Sequence, residues 1–177
     1  MAKTLADLLY GELDIVLVHK IGAPDNPEYA IGSVSEFGEI YRSQAIECYK
    51  GSSEMIDRIA QAEIANLRKR REAYSLVHPP ISPTGRIVII VDDGIATGST
   101  ALAAVRAIRS RSPARIIVAA PVASPRAVGA IEREADEVVA VRLPEDFYSI
   151  SQFYDDFPQV SDEEVLGILT QAGRPSR

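Results

Sequence analysis

Residues 86–100 read Arg86-Ile-Val-Ile-Ile-Val-Asp92-Asp93-Gly94-Ile-Ala-Thr97-Gly98-Ser99-Thr100. The β-branched run from Ile87 to Val91 predicts a strand that is buried on both faces. Two adjacent carboxylates end this run, and a loop of small residues follows them. Helical periodicity then begins at Ala101, so the segment predicts a strand, an acidic pair, a loop and a helix, in that order.

The chemistry of this segment suits a sugar phosphate. A helix start offers unpaired backbone N–H groups and the positive end of the helix dipole to an anion. Hydroxyl donors are added by Thr97, Ser99 and Thr100. Gly98 allows the backbone to approach the phosphate closely. Ionised Asp92 and Asp93 only accept hydrogen bonds, so they suit sugar hydroxyls or a metal rather than the phosphate.

Three other interpretations of the loop fit less well. A Walker P-loop needs Gly, four residues and then Gly-Lys-Ser/Thr, whereas three residues separate Gly94 from Gly98 and no Lys follows. The Gly-x-Gly-x-x-Gly pattern of dinucleotide-binding proteins is missing. A purely structural turn does not explain two carboxylates at the end of a buried strand, since each would need a partner or a solvated crevice.

Composition favours one cytoplasmic domain that spans residues 1–177. The sequence is 46% apolar and 25% charged, as in soluble globular proteins. Its net charge of −6 argues against wholesale binding of a nucleic-acid backbone. Cys48 stands alone, which predicts a reduced compartment and no disulfide framework. No apolar run approaches the length of a membrane span, and no signal peptide is visible.

The fold class that follows is α/β, with an open, mostly parallel, Rossmann-like sheet flanked by helices. The predicted helices are 2–10 (ending at Gly11), 53–74, one that starts at Ala101, one that Ser124 caps with Pro125 in its first turn, and one that begins with a Ser161–Glu164 capping box. The predicted strands are 14–19, 87–91, 115–120 and 137–141. A turn-rich loop is predicted over 20–27, and a small hairpin over 30–34 and 39–42.

A resemblance to a known family rests on these motifs. The segment from Val88 to Ala101, with its two acids and Thr-Gly-x-Thr, resembles the signature of the type I phosphoribosyltransferases, which bind 5-phosphoribosyl-1-pyrophosphate (PRPP). The wider match includes Leu-Val-His-Lys-Ile-Gly-Ala-Pro, Pro-Val-Ala-Ser-Pro at 121–125 and Pro-Glu-Asp-Phe at 144–147. The chain resembles a poorly characterised bacterial branch of that family, and the resemblance covers most of the chain.

The resemblance implies a role for each matched position. Asp92 and Asp93 would hold the ribose hydroxyls and act as the catalytic pair. The 5-phosphate would be bound by Ala96, Thr97, Gly98, Ser99 and Thr100. Lys20 would meet the pyrophosphate, although an ordinary surface lysine is an equal alternative. Phe147 and Tyr148 would stack on the base, with core packing as the alternative for at least one of them.

The same resemblance implies transfer of the phosphoribosyl group to a nucleobase or related acceptor, with Mg²⁺ and release of pyrophosphate. Small molecules are the expected partners, without nucleic acid or membrane. A homodimer supported by residues 53–74 is also expected.

The sequence departs from the family pattern in two places. Ser99 replaces a glycine that is common in the loop, and the strand and pyrophosphate-binding loop that normally precede a helix like 2–10 are expected to be missing. The expected absence of this strand and loop leaves open the alternative of a regulatory protein that binds PRPP or a nucleotide without turnover. A third hypothesis is a Mg²⁺-dependent phosphohydrolase with Asp92 as nucleophile, against which the absence of an Asp-x-Asp pattern counts.

Overall fold

Helices and strands alternate along the second half of the chain. The computed structural model describes residues 1–23, 26–42 and 53–172. Its helices are α1 (Ala2–Leu9), α2 (Ser53–Ser75), α3 (Ser99–Arg109), α4 (Pro125–Ile131) and α5 (Asp162–Ala172). Its strands are β1 (Val18–Ala23), β2 (Asn26–Ser35), β3 (Ile40–Arg42), β4 (Ile87–Val91), β5 (Arg115–Val122) and β6 (Glu137–Arg142), and Ile150–Phe153 form a short 3-10 helix.

A parallel sheet of order β4-β5-β6 positions the loop that follows β4. Ile87 pairs with Arg115, and Ile117 pairs with Glu137. Since α3 connects β4 to β5 and α4 connects β5 to β6, the carboxyl ends of all three strands lie at one edge. The predicted α/β class, with a parallel sheet flanked by helices, is confirmed.

The core of this sheet is formed by β5 and one face of α3. Every second residue of β5 is buried, beginning with Ile116 and Val118, as expected for a pleated strand. The buried face of α3 follows helical spacing and comprises Ala101, Ala104, Val105 and Ile108. Full burial of an aliphatic side chain such as Val105 contributes roughly 1.5–3 kcal/mol. This packing fixes the start of α3 relative to the end of β4.

A second, antiparallel sheet has the order β1-β2-β3. The predicted hairpin is confirmed, with Val34 paired to Ile40 and Gly38 at a φ of 97° in the turn. Helix α2, predicted over 53–74, covers this sheet, and their shared core comprises Ile21, Ile31, Val34, Ile56, Ala60, Ile64 and Leu67.

Over the described ranges, no helix combines the length and the apolar character needed to cross a membrane.

The prediction of a buried strand at 14–19 is wrong. The strand begins at Val18, continues through the predicted loop as far as Ala23, and pairs antiparallel with β2. Residues 12–17 are irregular, and the Leu17 N–H donates to the Glu36 carboxylate (3.0 Å) rather than to a strand. A β ladder needs a partner at the right distance, which apolar periodicity alone does not supply.

Strand β4 is also less buried than predicted. Ile90 is buried, but Ile87 is 64% exposed. Among the described residues, β4 pairs only with β5. A cavity of about 660 Å³ lies along β4, lined by residues of α1, 11–16 and α5. The expected burial on both faces is therefore wrong because one side of β4 faces this cavity.

Smaller differences concern helix ends. Helix α1 ends with Tyr10 in the left-handed conformation (φ 53°), one residue before the predicted stop at Gly11. The cap of α4 is confirmed, since the Ala127 N–H donates to Ser124 Oγ (3.1 Å). The capping box of α5 is also confirmed: the Ser161 N–H donates to Glu164 Oε2 (2.8 Å), and the Glu164 N–H to Ser161 Oγ (3.2 Å).

Candidate functional site

The acidic pair lies at the carboxyl end of β4. The Asp92 N–H donates to the Ala119 carbonyl (3.1 Å), which extends the β4–β5 ladder by one residue. The Asp92 carboxylate then accepts the Asp93 N–H (3.0 Å), an interaction that turns the chain out of the sheet. Both side chains are only partly exposed. The pair therefore lies at the carboxyl ends of the strands, which is where open α/β sheets bind ligands.

The surroundings of both carboxyl groups raise their pKa above the ordinary value of 3.8. Burial raises the pKa of Asp92, and the neighbouring Asp93 charge raises it further. The Asp93 N–H and the charge of Lys20 oppose these effects and lower the same pKa. Burial also raises the pKa of Asp93. A ligand that donates hydrogen bonds or carries positive charge would stabilise the ionised pair.

The loop between the acids and α3 presents hydroxyl groups at a helix start. Gly98 is the N-cap of α3, with a φ of 77° that non-glycine residues rarely adopt. Thr97 Oγ1 and Ser99 Oγ lie 3.0 Å apart, and the Ser99 N–H points at Thr97 Oγ1 (3.4 Å). Thr97 and Thr100 are exposed. Two hydroxyls thus lie close together at the start of α3, where the helix dipole favours an anion such as phosphate.

Ser124 holds this loop from the neighbouring strand end. Its Oγ donates to the Ala96 carbonyl (2.6 Å), and its N–H donates to the Ile95 carbonyl (2.8 Å). The Ile95 N–H in turn donates to the Val122 carbonyl (2.9 Å). The sequence predicted Ser124 only as a helix cap. The second role depends on two strand ends meeting, which local sequence does not reveal.

Lys20 belongs to the other sheet yet lies within electrostatic reach of the acids. It is an exposed residue of β1, and its charge lowers the pKa of Asp92. The hairpin sheet therefore brings a cation to the same edge as the acidic pair. Proximity of this kind allows Lys20 to meet an anionic group of a ligand that the carboxylates also contact.

Phe147 and Tyr148 have different surroundings. Phe147 packs on Phe153 with ring centroids 5.4 Å apart and a tilt of 48°. Its ring is partly buried by this pair, in keeping with the packing alternative. Tyr148 is 86% exposed. Of the two, Tyr148 is the ring that is free to meet a ligand in solution.

Two residues of the C-terminal segment contact the loop without having been predicted. Tyr154 Oη donates to the Asp93 carbonyl (2.5 Å). The Ile150 side chain lies against Gly94, where an added Cβ would be 2.6 Å from Ile150 Cγ2. The signal was an aromatic and acidic run at 153–157 without regular periodicity. Since Tyr154 is 61 residues from Asp93, no local pattern could have paired them.

The donors at this edge suit one mode of Mg²⁺ binding. Within 1–23, 26–42 and 53–172, no group of three or more His, Cys, Asp or Glu residues is arranged to hold a metal ion. Mg²⁺ often binds through one or two carboxylates, several waters and the phosphates of a substrate. Asp92 and Asp93 fit that mode as oxygen donors beside a candidate phosphate site.

Comparison with known proteins gives this site a family context. A family model of the phosphoribosyl transferase domain matches residues 1–158. A protein provisionally named a phosphoribosyl transferase, from two strains of Mycobacterium tuberculosis, is 34% identical over 175 residues. That match covers 98% of this chain, and the chain spans 40% of the length of these curated relatives.

A solved structure is also similar to the chain. The crystal structure of TT1426 from Thermus thermophilus is 43% identical to the chain, with a TM-score of 0.80. The likeness covers 96% of this chain and 80% of that one. With a domain match over most of its length, the chain belongs to the phosphoribosyl transferase family.

Proposed function

We propose that the protein transfers the 5-phosphoribosyl group of PRPP to a nitrogen of a nucleobase or related acceptor and releases pyrophosphate. The observation that carries this proposal is the grouping at one sheet edge of Asp92, Asp93, Lys20 and the hydroxyl-lined start of α3. Family membership supports the general transferase activity. The substrate and the direction of transfer are part of the proposal.

The 5-phosphate binds at the start of α3 in this proposal. Backbone N–H groups at the helix start and the hydroxyls of Thr97, Ser99 and Thr100 donate to its oxygens. Gly98 is buried and has a positive φ, so the chain can turn tightly around the anion. Ser124 keeps the loop from moving away when the ligand is absent, because it anchors Ala96.

The acidic pair binds the ribose and supports the charge that develops during transfer. Ionised Asp92 and Asp93 accept hydrogen bonds from the two ribose hydroxyls. As the bond to C1 lengthens, the sugar acquires positive charge, which nearby carboxylates stabilise in a partly desolvated site. Their raised pKa values mean that this stabilisation is strongest at a pH where both groups are ionised.

Transfer exchanges one bond at C1 for another. The lone pair of an acceptor nitrogen forms the new N–C1 bond, while the C1–O bond breaks and its electron pair leaves with pyrophosphate. A proton on the attacking nitrogen is released to solvent. Lys20 stabilises the departing anion, and Mg²⁺, when bound to the diphosphate, supplies further neutralising charge.

Calorimetric titration with PRPP, together with pyrophosphate release in the presence of a panel of bases, tests the proposal. Asp93→Asn removes a charged acceptor and is expected to weaken PRPP binding about 10- to 100-fold. Thr97→Val removes a neutral donor and is expected to weaken it about 2- to 10-fold. Thr170→Val is the matched control, because Thr170 is an exposed residue of α5. This change is expected to leave the PRPP affinity unchanged.

The outcomes separate the three hypotheses. Pyrophosphate release that depends on one base supports the transferase. PRPP binding without consumption of any base favours the regulatory protein instead. Phosphate release without an acceptor, abolished by Asp92→Asn, would favour the hydrolase. Unchanged PRPP affinity in both Asp93→Asn and Thr97→Val contradicts the site assignment.

A further inference from the structure

The chain after β6 folds back over the acidic loop as a short, internally bonded unit. We call residues 147–157 the aromatic segment. Gln152 holds its first turn together, since Gln152 Oε1 accepts the N–H groups of Tyr148 (3.1 Å) and Ser149 (3.2 Å). Gln152 Nε2 also donates to the Asp146 carbonyl (2.9 Å). Because the Gln152 amide is hydrogen-bonded through both its oxygen and its nitrogen, the segment has less conformational freedom. The contacts that the neighbouring residues make are therefore well defined.

Two contacts join the aromatic segment to the acidic loop. The Tyr154 hydroxyl donates to the carbonyl of Asp93, at 2.5 Å. Four residues earlier, the Ile150 side chain fills the space beside Gly94. Asp93 and Gly94 are consecutive, so one contact fixes the carbonyl between them and the other limits how far that peptide can move.

Tyr154 is well suited to remain a donor. Its ring packs against Phe157, with centroids 5.0 Å apart and a tilt of 39°. Burial raises the pKa of Tyr154, and the negative charges of Asp93 and Asp92 raise it further. The hydroxyl therefore stays protonated at neutral pH, and its hydrogen bond is available whenever the carboxylates are ionised.

Glycine is required at position 94 by the adjacent Ile150 side chain rather than by the backbone conformation. Among the described glycines, positive φ values occur at Gly38, Gly85 and Gly98, so the backbone of Gly94 lies in a region that alanine also adopts. A Cβ at Gly94 would meet Ile150 Cγ2 at 2.6 Å and Cγ1 at 2.9 Å, well inside van der Waals contact. The cost of Gly94→Ala therefore comes from Ile150, which makes the contact testable by compensation.

We propose that Tyr154 is a positioning residue for the ribose-binding acids, acting through the Asp93 carbonyl, with Ile150 as a steric stop behind Gly94. This inference rests on the proposed function of the acidic pair, and it assigns the aromatic segment a role in that site. Tyr154 orders the peptide that follows Asp93, so that both carboxylates face the ligand before it arrives. Preorganisation of this kind lowers the free-energy cost of binding.

Tyr154→Phe tests the hydrogen bond while keeping the ring. Loss of one hydrogen bond of about 0.5–1.5 kcal/mol predicts a 2- to 12-fold weaker PRPP affinity. Amide hydrogen exchange in peptides that cover 92–98 should become faster, while exchange in β5 stays unchanged. Tyr10→Phe is the matched control, since it makes the same change at the end of α1, where Tyr10 is 98% exposed. It should change neither measurement.

Compensation tests the steric stop. Gly94→Ala should weaken PRPP binding at least several-fold and speed exchange in 92–98, since the loop or Ile150 must move. Adding Ile150→Ala to that variant should restore both, as it removes the two closest carbons, Cγ1 and Cγ2. Thermal unfolding of each variant shows whether the fold is retained. A double variant no better than Gly94→Ala would overturn the contact as the cause.

The two proposals can fail separately. If the unsubstituted protein does not bind PRPP, the proposed function fails, while hydrogen exchange still reports whether Tyr154 and Ile150 order the loop. If PRPP binds but Tyr154→Phe matches Tyr10→Phe in affinity and exchange, the positioning role is wrong and the site assignment stands. Faster exchange throughout β5 as well would also overturn it, because it would indicate general loss of structure.

Discussion

Asp92, a proposed binding residue, opposes the stability of the folded protein when its carboxylate is ionised. Its carboxylate is partly desolvated and lies beside a second carboxylate, and both effects raise its pKa. At neutral pH the ionised form therefore has a higher free energy in the folded protein than in the unfolded chain. The Asp93 N–H and Lys20 recover only part of this cost, as the direction of the shift shows.

Asp92→Asn is therefore expected to raise the melting temperature at pH 7 while it weakens PRPP binding. Asparagine keeps an oxygen that can accept the Asp93 N–H but carries no charge. For a chain of this length, each kcal/mol of relief corresponds to roughly 2–4 °C. Differential scanning calorimetry and PRPP titration measure the two effects. Asp156→Asn is the control, since this carboxylate is exposed.

The rise in melting temperature that is expected for Asp92→Asn depends on pH in a definite direction. Because the folded-state pKa of Asp92 lies above its ordinary value of 3.8, the folded protein binds the proton more tightly than the unfolded chain. The contribution of Asp92 to stability is thus fully present below 3.8 and is lost as the pH rises through the folded-state pKa. The advantage of Asp92→Asn should therefore shrink as the pH falls. A gain that grows in acid would contradict the argument.

Sequence was informative about this site wherever a residue acts through its near neighbours. Asp92, Gly98 and the hydroxyls of the loop lie within one run, so their grouping was predictable. Tyr154 and the second role of Ser124 were not, because each bonds a carbonyl of the loop from a distant part of the chain. Carbonyl groups carry no sequence signal, since every residue has one.

At the scale of elements, Arg71 joins three parts of the chain that local sequence treats separately. From α2 it donates to both oxygens of Asp14 (3.0 Å each) and to the Ile15 carbonyl (3.1 Å). Its Nε also lies 3.3 Å from the Glu36 carboxylate, which follows β2. The side chains of Arg71 and Glu36 are only 13% and 3% exposed. Removal of the guanidinium would break the ion pairs with both Asp14 and Glu36.

Arg71→Met is expected to lower the free energy of unfolding by about 3–5 kcal/mol, the typical cost of breaking a buried ion pair from one side. Arg115→Met removes a comparable guanidinium from an exposed pair with Glu137, whose side chains are 50% and 44% exposed. That control should cost no more than about 1 kcal/mol. Urea denaturation followed by circular dichroism compares the two. Equal losses would show that Arg71 does not join these elements.

The elements themselves were predictable to different degrees for a physical reason. Helices α2, α3 and α5 and strands β4, β5 and β6 follow from periodicity and caps, which are properties of consecutive residues. Residues 14–17 have the same apolar pattern as a buried strand but lack a ladder, and the strand begins at Val18 instead. Strand formation depends on where the partner lies, and no window of sequence contains that information.

At the scale of the whole molecule, the site depends on how the two sheets are held together. Lys20 comes from the hairpin sheet and Asp92 from the parallel sheet. Contacts between the hairpin and α3 connect them: the Arg106 guanidinium lies 3.4 Å from the centroid of the Tyr41 ring, and Ser110 Oγ donates to Glu39 (2.7 Å). Each sheet has its own apolar core, and Val18 of β1 also packs against the core of the parallel sheet, so polar and apolar contacts together set the distance between Lys20 and the acids.

A cavity lies beside β4 in this arrangement. Its lining includes the apolar side chains of Leu13, Val16, Ile87 and Ile89. An apolar surface of this size, with β4 unpaired along it in the described part of the chain, is a place where amphiphilic dyes bind. The folded protein should therefore bind 8-anilinonaphthalene-1-sulfonate at neutral pH, with increased fluorescence and no loss of circular dichroism.

Ile89→Gln tests whether the dye occupies this cavity. A polar group on the cavity wall should reduce the apolar contact and weaken dye binding several-fold, because each buried methylene contributes about 0.8 kcal/mol. Val141→Gln is the control, since Val141 is 80% exposed on β6 and does not line the cavity. Equal weakening by both variants would place the dye elsewhere. Selective weakening by Ile89→Gln would show that β4 has an accessible apolar face in solution, which also explains why a strand predicted to be buried on both sides is buried on one.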